Sequence, residues 1–192
     1  MRIFALSDIH VDYDANAQWV GNLSRHEYHD DLLILAGDIT HRLDLLGWCV
    51  SALSVRFKQV LFVPGNHDLW VVGEERAKTS LQKFVDVQAT IEDSGASMGS
   101  FRRNGVHIVP LQSWYDYSFG QPSEDLMGMR SDYRACRWPA DFGPAEAAAH
   151  FAKMNSNLDT DGATRVITFS IWCPITCRGN IGFSTRCWEV RE

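Results

Sequence analysis

Residues 60–68 read Val60-Leu61-Phe62-Val63-Pro64-Gly65-Asn66-His67-Asp68: four apolar residues that break at once into Pro, Gly and a polar trio. A short apolar run bounded by turn residues predicts a buried strand, here Val60 to Val63, with the polar residues displayed at its carboxyl end. Two earlier stretches repeat the pattern. Arg2 to Leu6 runs into Asp8-Ile9-His10, and Leu32 to Ala36 runs into Gly37-Asp38. Further apolar runs at Val106 to Val109 and Val166 to Phe169 predict two more strands. Between them, helical spacing covers Asn16 to Arg25, Leu43 to Phe57, Glu74 to Glu92 and Pro144 to Leu158. Leu46, Val50, Leu53 and Phe57 recur at helical intervals, as on a helix packed against a sheet. Alternating strands and helices predict an α/β fold with a largely parallel sheet. In such sheets ligands collect beyond the carboxyl ends of the strands, so the three polar clusters are expected to meet on one edge.

The residue types in those clusters suit divalent cations. Asp8 and His10, two apart in a segment expected to be extended, should face one side and grip one ion together. Asp38 offers a carboxylate able to bridge two ions, and Asn66 a neutral amide oxygen. This mix of hard and borderline donors fits Mn, Fe or Zn, in a site for two divalent metal ions. Gly37 and Gly65 let the backbone turn sharply and approach closely. Of the other histidines, His41 reads as a solvated loop residue, His26 and His29 as surface residues, and His107 and His150 as packing residues. The segment from Trp114 to Pro139 carries aromatic and charged residues without periodicity and is expected to be a long loop near the mouth of the site.

The ordered set Asp8-Ile9-His10, Gly37-Asp38 and Gly65-Asn66-His67-Asp68, spaced 30 and then 28 residues from first ligand to next, resembles the calcineurin-like metallophosphoesterase superfamily. The resemblance covers roughly residues 1–170 and implies a layered αββα sandwich and hydrolysis of a phosphate monoester or diester. It further implies that Asp8 and His10 hold one metal, Asp38 bridges, and Asn66 holds the second. His67 then stabilises the transition state or protonates the leaving alkoxide, and Asp68 orients His67. Two ions roughly 3.5 to 4 Å apart would activate a water and neutralise charge in an in-line displacement.

The chain also departs from the family. A histidine is expected just after the strand ending at Phe169 and Ser170, but Ile171 stands there, and no histidine follows His150. Residues 171–192 hold three of the five Cys and little periodicity, and Cys173 with Cys177 falls short of the four ligands of a closed zinc site. Back-translated with one extra leading base, this segment can spell a histidine first and then an aromatic continuation. Residues 1–170 are therefore read as a partial phosphoesterase domain and 171–192 as an aberrant, frameshift-derived tail, which leaves the second sheet incomplete. The alternative to an active enzyme is an impaired remnant, or a single-metal binding module of the same fold.

Composition narrows the partners. The chain has 192 residues, 45% hydrophobic and 22% charged, a profile of one ordinary globular domain. A net charge of -6 argues against long nucleic acid and anionic membrane. No apolar run reaches the length of a membrane span, and Met1 to Leu6 is too short for a signal-peptide core, so the expected compartment is the cytoplasm. A phosphate-ester substrate is the implied partner, with no defined protein partner. Five Cys, unevenly spread, do not form a disulfide framework.

Overall fold

The computed structural model describes residues 1–118, 120–156 and 162–172. The Cys173–Cys177 pair and nearly all of the expected aberrant tail lie outside the described residues. The first sheet consists of β1 (Ile3–Leu6), β2 (Leu32–Ala36) and β3 (Gln59–Val63), all parallel in the order β1-β2-β3. Two helices make its crossovers, α1 (Asp14–Asn22) and α2 (Leu43–Ser54). A 3-10 turn, His67–Leu69, and α3 (Ser80–Asp93) follow. The second sheet holds β4 (Phe101–Arg103), β5 (Val106–Pro110) and, after the short helices α4 (Glu124–Met129) and α5 (Asp132–Ala135) and the longer α6 (Pro144–Met154), β6 (Arg165–Phe169). β5 pairs antiparallel with β4 and parallel with β6.

Strand alternation sets the layers. Leu33, Leu35, Val60 and Phe62 turn to the helices, where they join Val20 of α1, Leu46, Val50 and Leu53 of α2, and Val87 and Ile91 of α3. Leu32, Ile34 and Leu61 turn the other way and meet Ile108, Ile167 and Phe169 of the second sheet. Both faces of β2 and β3 are thus buried, which explains why these strands read as continuous apolar runs. The result is the layered α/β sandwich expected from the sequence. Each fully buried aliphatic side chain contributes roughly 1.5 to 3 kcal/mol.

The coverage is incomplete at one edge. In β1, Phe4 and Leu6 pack toward the helices, but Ile3 is 38% exposed and Ala5 is also open on the face turned toward the second sheet. Val166 of β6 is 42% exposed. Among the described residues, the second sheet packs on β2 and β3 and leaves Ile3 and Ala5 of β1 open.

Three local differences from the sequence expectation have physical reasons. The helix expected from Glu74 starts at Ser80, because Thr79 caps it: its hydroxyl accepts from Gln82 N, and Gln82 Oε1 accepts from Thr79 N at 2.8 Å. Glu74 instead pairs with Lys78 and with the buried Lys83. The loop from Trp114 to Pro139 contains α4 and α5, too short for helical periodicity to show. β4 was not expected, yet Asn104 and Gly105, at φ 51° and 76°, form the two-residue turn that pairs Arg103 with Val106. Among the described residues no helix is long and apolar enough to cross a membrane.

Candidate metal centre

The loops leaving β1, β2 and β3 converge as the parallel topology requires. Asp8 N donates to Gly37 O at 3.1 Å, and His10 N donates to Asp38 O at 3.1 Å, which laces the first loop to the second. Asp8, His10 and Asp38 all have left-handed backbones, with φ of 55°, 45° and 56°. The expected extended Asp8-Ile9-His10 segment is therefore corrected to an irregular loop with left-handed backbone at Asp8 and His10. Three non-glycine residues in this region are costly, and such strain persists where surrounding structure fixes it, commonly at functional sites.

Asp68 supplies much of that fixing. It is fully buried, and its carboxylate accepts four backbone N–H groups: Asp38 and Gly65 at 2.8 Å, Ile39 at 2.9 Å and Thr40 at 3.1 Å. Expected from the sequence to orient His67, Asp68 instead clasps the loop after β2 to the loop after β3. Asp68 sits in the 3-10 turn with its side chain buried. Burial, together with the Asp38 charge, pushes its carboxyl up to about 7 even against those N–H donors. The same close approach explains both glycines. A β-carbon on Gly37 would strike the Gly65 backbone, and one on Gly65 would strike the Asp38 carboxylate.

His10, Asp38 and His67 form the cluster that results, with one ligand-capable atom from each lying within 4.8 Å of the others. Asp38 is 6% exposed, and burial raises its pKa, the nearby Asp8 charge adding to the rise. His67 N donates to Asp38 Oδ1 at 3.0 Å. The His67 ring stacks on Trp70 at 3.9 Å between centroids and meets His10 edge-on at 4.6 Å. Burial lowers the His67 pKa, with the neighbouring His10 in the same direction. Asp8 is exposed and stands outside the trio, although its charge reaches Asp38. His41 lies at the margin, 6.3 Å from the Trp70 ring.

Asn66 completes the arrangement through a residue that no motif in the sequence announced. Asp132, 5% exposed at the start of α5, accepts the Asn66 amide N–H at 2.8 Å and the Trp70 indole N–H at 2.7 Å on one oxygen. Its other oxygen accepts the Tyr115 hydroxyl at 3.2 Å. With its nitrogen committed to Asp132, the amide oxygen is the atom Asn66 could offer a cation. Ile171 occupies the place where a further histidine was expected. Its Cδ1 would lie 2.9 Å from a β-carbon on Gly37 and 2.7 Å from one on Gly65, so an apolar group covers the junction of the two loops. The imidazole and carboxylate donors of His10, Asp38 and His67 are of the types that hold divalent cations. By contrast, burial pushes the thiols of Cys49 and Cys136 up to about 12, which leaves them poor nucleophiles.

The calcineurin-like phosphoesterase profile matches residues 1–155. The chain belongs to the calcineurin-like phosphoesterase family. Among characterised proteins, an acyl-carrier-protein phosphodiesterase, PptH of Mycobacterium tuberculosis, is 30% identical over 125 residues, which make up 61% of this chain and 38% of that protein. The crystal structure of the phosphopantetheinyl hydrolase PptH from the same organism superposes with a TM-score of 0.65 at 24% identity, covering 88% of this chain and 67% of that one. The likeness to the solved structure confirms the fold. The chain spans well under half the length of the curated relative it matches.

Proposed function

We propose that this chain is a metal-dependent phosphoesterase whose ester phosphate lies where the loops after β1, β2 and β3 converge. The observation that carries the reading is the convergence of His10, Asp38 and His67 at that strand edge in a chain of this family. A divalent ion, when bound, stabilises charge on phosphoryl oxygens and lowers the pKa of water. Asp8, His10 and Asp38 would hold one ion, and Asp38 and Asn66 a second, with Mn, Fe or Zn suiting the donors. His67, braced by Trp70, presents a ring N–H to the phosphoryl oxygens or the leaving alkoxide. Asp68 acts at a distance, by holding the loops that carry Asp38 and His67 together. PptH, named as a phosphodiesterase, supports a phosphodiester as the substrate. We place the chain in the cytoplasm, in keeping with Cys49 and Cys136 as free thiols.

Ile171 favours a second reading, in which only one ion is held firmly. Among the described residues the second position has two donors, Asp38 and Asn66, and a methyl group of Ile171 lies over the adjoining loops. Metal analysis after loading with Mn, alongside hydrolysis of bis-p-nitrophenyl phosphate, separates the two. A single ion and slow turnover abolished by Asp38→Asn are expected of the native chain. Ile171→His should bring a second ion and raise turnover roughly tenfold or more. Turnover indifferent to Asp38→Asn and to chelation would refute the phosphoesterase reading.

A further inference from the structure

Asn16, half-buried in the first turn of α1, grips the backbone on both sides of His10. Its amide nitrogen donates to Ile9 O at 2.6 Å and to His10 O at 3.3 Å. Those two carbonyls belong to the two peptide groups that flank the His10 α-carbon. The N–H ends of the same peptide groups go to the loop after β2, His10 N donating to Asp38 O at 3.1 Å and Val11 N to Ile39 O at 3.0 Å. Each peptide plane is thus held at both ends, by the β2 loop at its N–H and by Asn16 at its C=O. His10 O also accepts Tyr13 N at 3.0 Å, whereas Asn16 is the donor to Ile9 O among the described residues.

Peptide groups are planar, so fixing the two planes around a residue fixes its φ and ψ. His10 has φ 45°, a conformation that costs a residue with a β-carbon and persists only where neighbouring bonds impose it. The same two dihedrals aim the Cα–Cβ bond, and so decide whether the imidazole meets Asp38 and His67. Asn16 projects from an anchored support. Val20 of α1 is buried in the helix-side core, and at the other end of the helix the buried Arg56 guanidinium donates to Gly21 O at 2.7 Å and Leu23 O at 2.9 Å. Asparagine is a poor helix former, and here its side-chain bonds serve the loop rather than the helix. We propose that Asn16 is a positioning residue of the metal centre: it holds the strained backbone of His10 so that the imidazole faces Asp38. This rests on the metal-dependent reading for the ion, but the effect on the loop can be measured without metal.

Two readouts on the full chain test it: Mn affinity by chelator competition, and hydrogen exchange of the His10 and Val11 amides in the metal-free protein. Asn16→Leu keeps the bulk and removes both donors, and Asn16→Ala repeats the loss without the larger side chain. Both variants should bind Mn about tenfold more weakly and exchange the two amides about tenfold faster than the native chain. Thr79→Ala, which removes the hydrogen-bonded cap of α3 instead, should lower the melting temperature and leave both readouts at their native values. Native Mn affinity in the two Asn16 variants, native exchange at the two amides, or equal losses in Thr79→Ala overturns the proposal. If the native chain holds no Mn while the two amides exchange faster in the Asn16 variants alone, the positioning of His10 stands and the metal-dependent reading falls.

Discussion

Asn66 can turn its amide oxygen toward a cation only while its amide nitrogen is held elsewhere, and Asp132 does the holding. The same carboxylate oxygen takes the indole N–H of Trp70, the ring on which His67 stacks. One side chain therefore positions both an intended metal ligand and the support of an intended proton donor. Asp132→Ala would leave three donors, on Asn66, Trp70 and Tyr115, without their acceptor and let the Asn66 amide rotate. Loss of such an outer partner is expected to weaken metal affinity by roughly 10- to 100-fold and to cost about 1 to 3 kcal/mol of stability. Asp132→Asn keeps one acceptor oxygen and should recover most of the metal affinity. Chelator competition measures the first effect and urea denaturation the second. A variant that loses stability but keeps its metal affinity would show that Asn66 is not a ligand. Nothing in the sequence pointed to Asp132, because it lies 66 residues from Asn66 in a segment without periodicity. Asp68 shows the same limit: its place next to His67 suggested a partnership, whereas its described hydrogen bonds go to the backbone of Asp38, Ile39, Thr40 and Gly65. Metal-ligand types in short motifs are legible because chemistry restricts them; hydrogen-bond partners brought in by tertiary folding are not.

At the level of elements, β2, β3 and α2 were readable because both faces of the strands are buried and the helix presents one apolar stripe. β1 through β3 were placed with their polar clusters at one edge, and the topology agrees. Residues 74–79, just ahead of α3, were read as the start of that helix, and their actual organisation has a consequence for acid stability. Lys83 is fully buried on α3 and donates to Glu74, which also accepts from Lys78. These bonds hold the Glu74 carboxyl below its ordinary value of 4.5. A carboxyl with a lowered folded pKa stabilises the fold above its unfolded pKa, and that contribution is lost as pH falls through the folded value. The native chain should therefore lose melting temperature below about pH 4.5 more steeply than Glu74→Gln. At neutral pH the variant should be about 2 kcal/mol less stable, because a buried ammonium loses its charged acceptor. Melting curves from pH 3 to 7 on both proteins check the slope and the offset; parallel curves would show that the pair does not hold the segment to α3.

For the whole molecule, the exposed side of β1 is the informative feature. Ile3 and Ala5 face the space that the second sheet fills over β2 and β3, and Val166 of β6 is open to solvent. Among the described residues neither β1 nor β6 has a partner on its outer edge. An exposed apolar face of this kind favours self-association. Ile171, at the start of the segment proposed to be out of frame, is also the residue that places a methyl group where a donor was expected, so one lesion would account for both the thin metal shell and the uncovered sheet. If one base was lost after the codon for Ser170, restoring it should turn a chain that associates with rising concentration into a monomer by light scattering, with a higher melting temperature and a fuller complement of metal. The native-frame chain, measured at the same concentrations, should associate and hold less metal. Sequencing the locus decides the premise independently: a coding frame with no lost base near Ser170, together with a repaired chain that gains neither metal nor solubility, would mean that Ile171 and the open β1 face belong to the protein's working form.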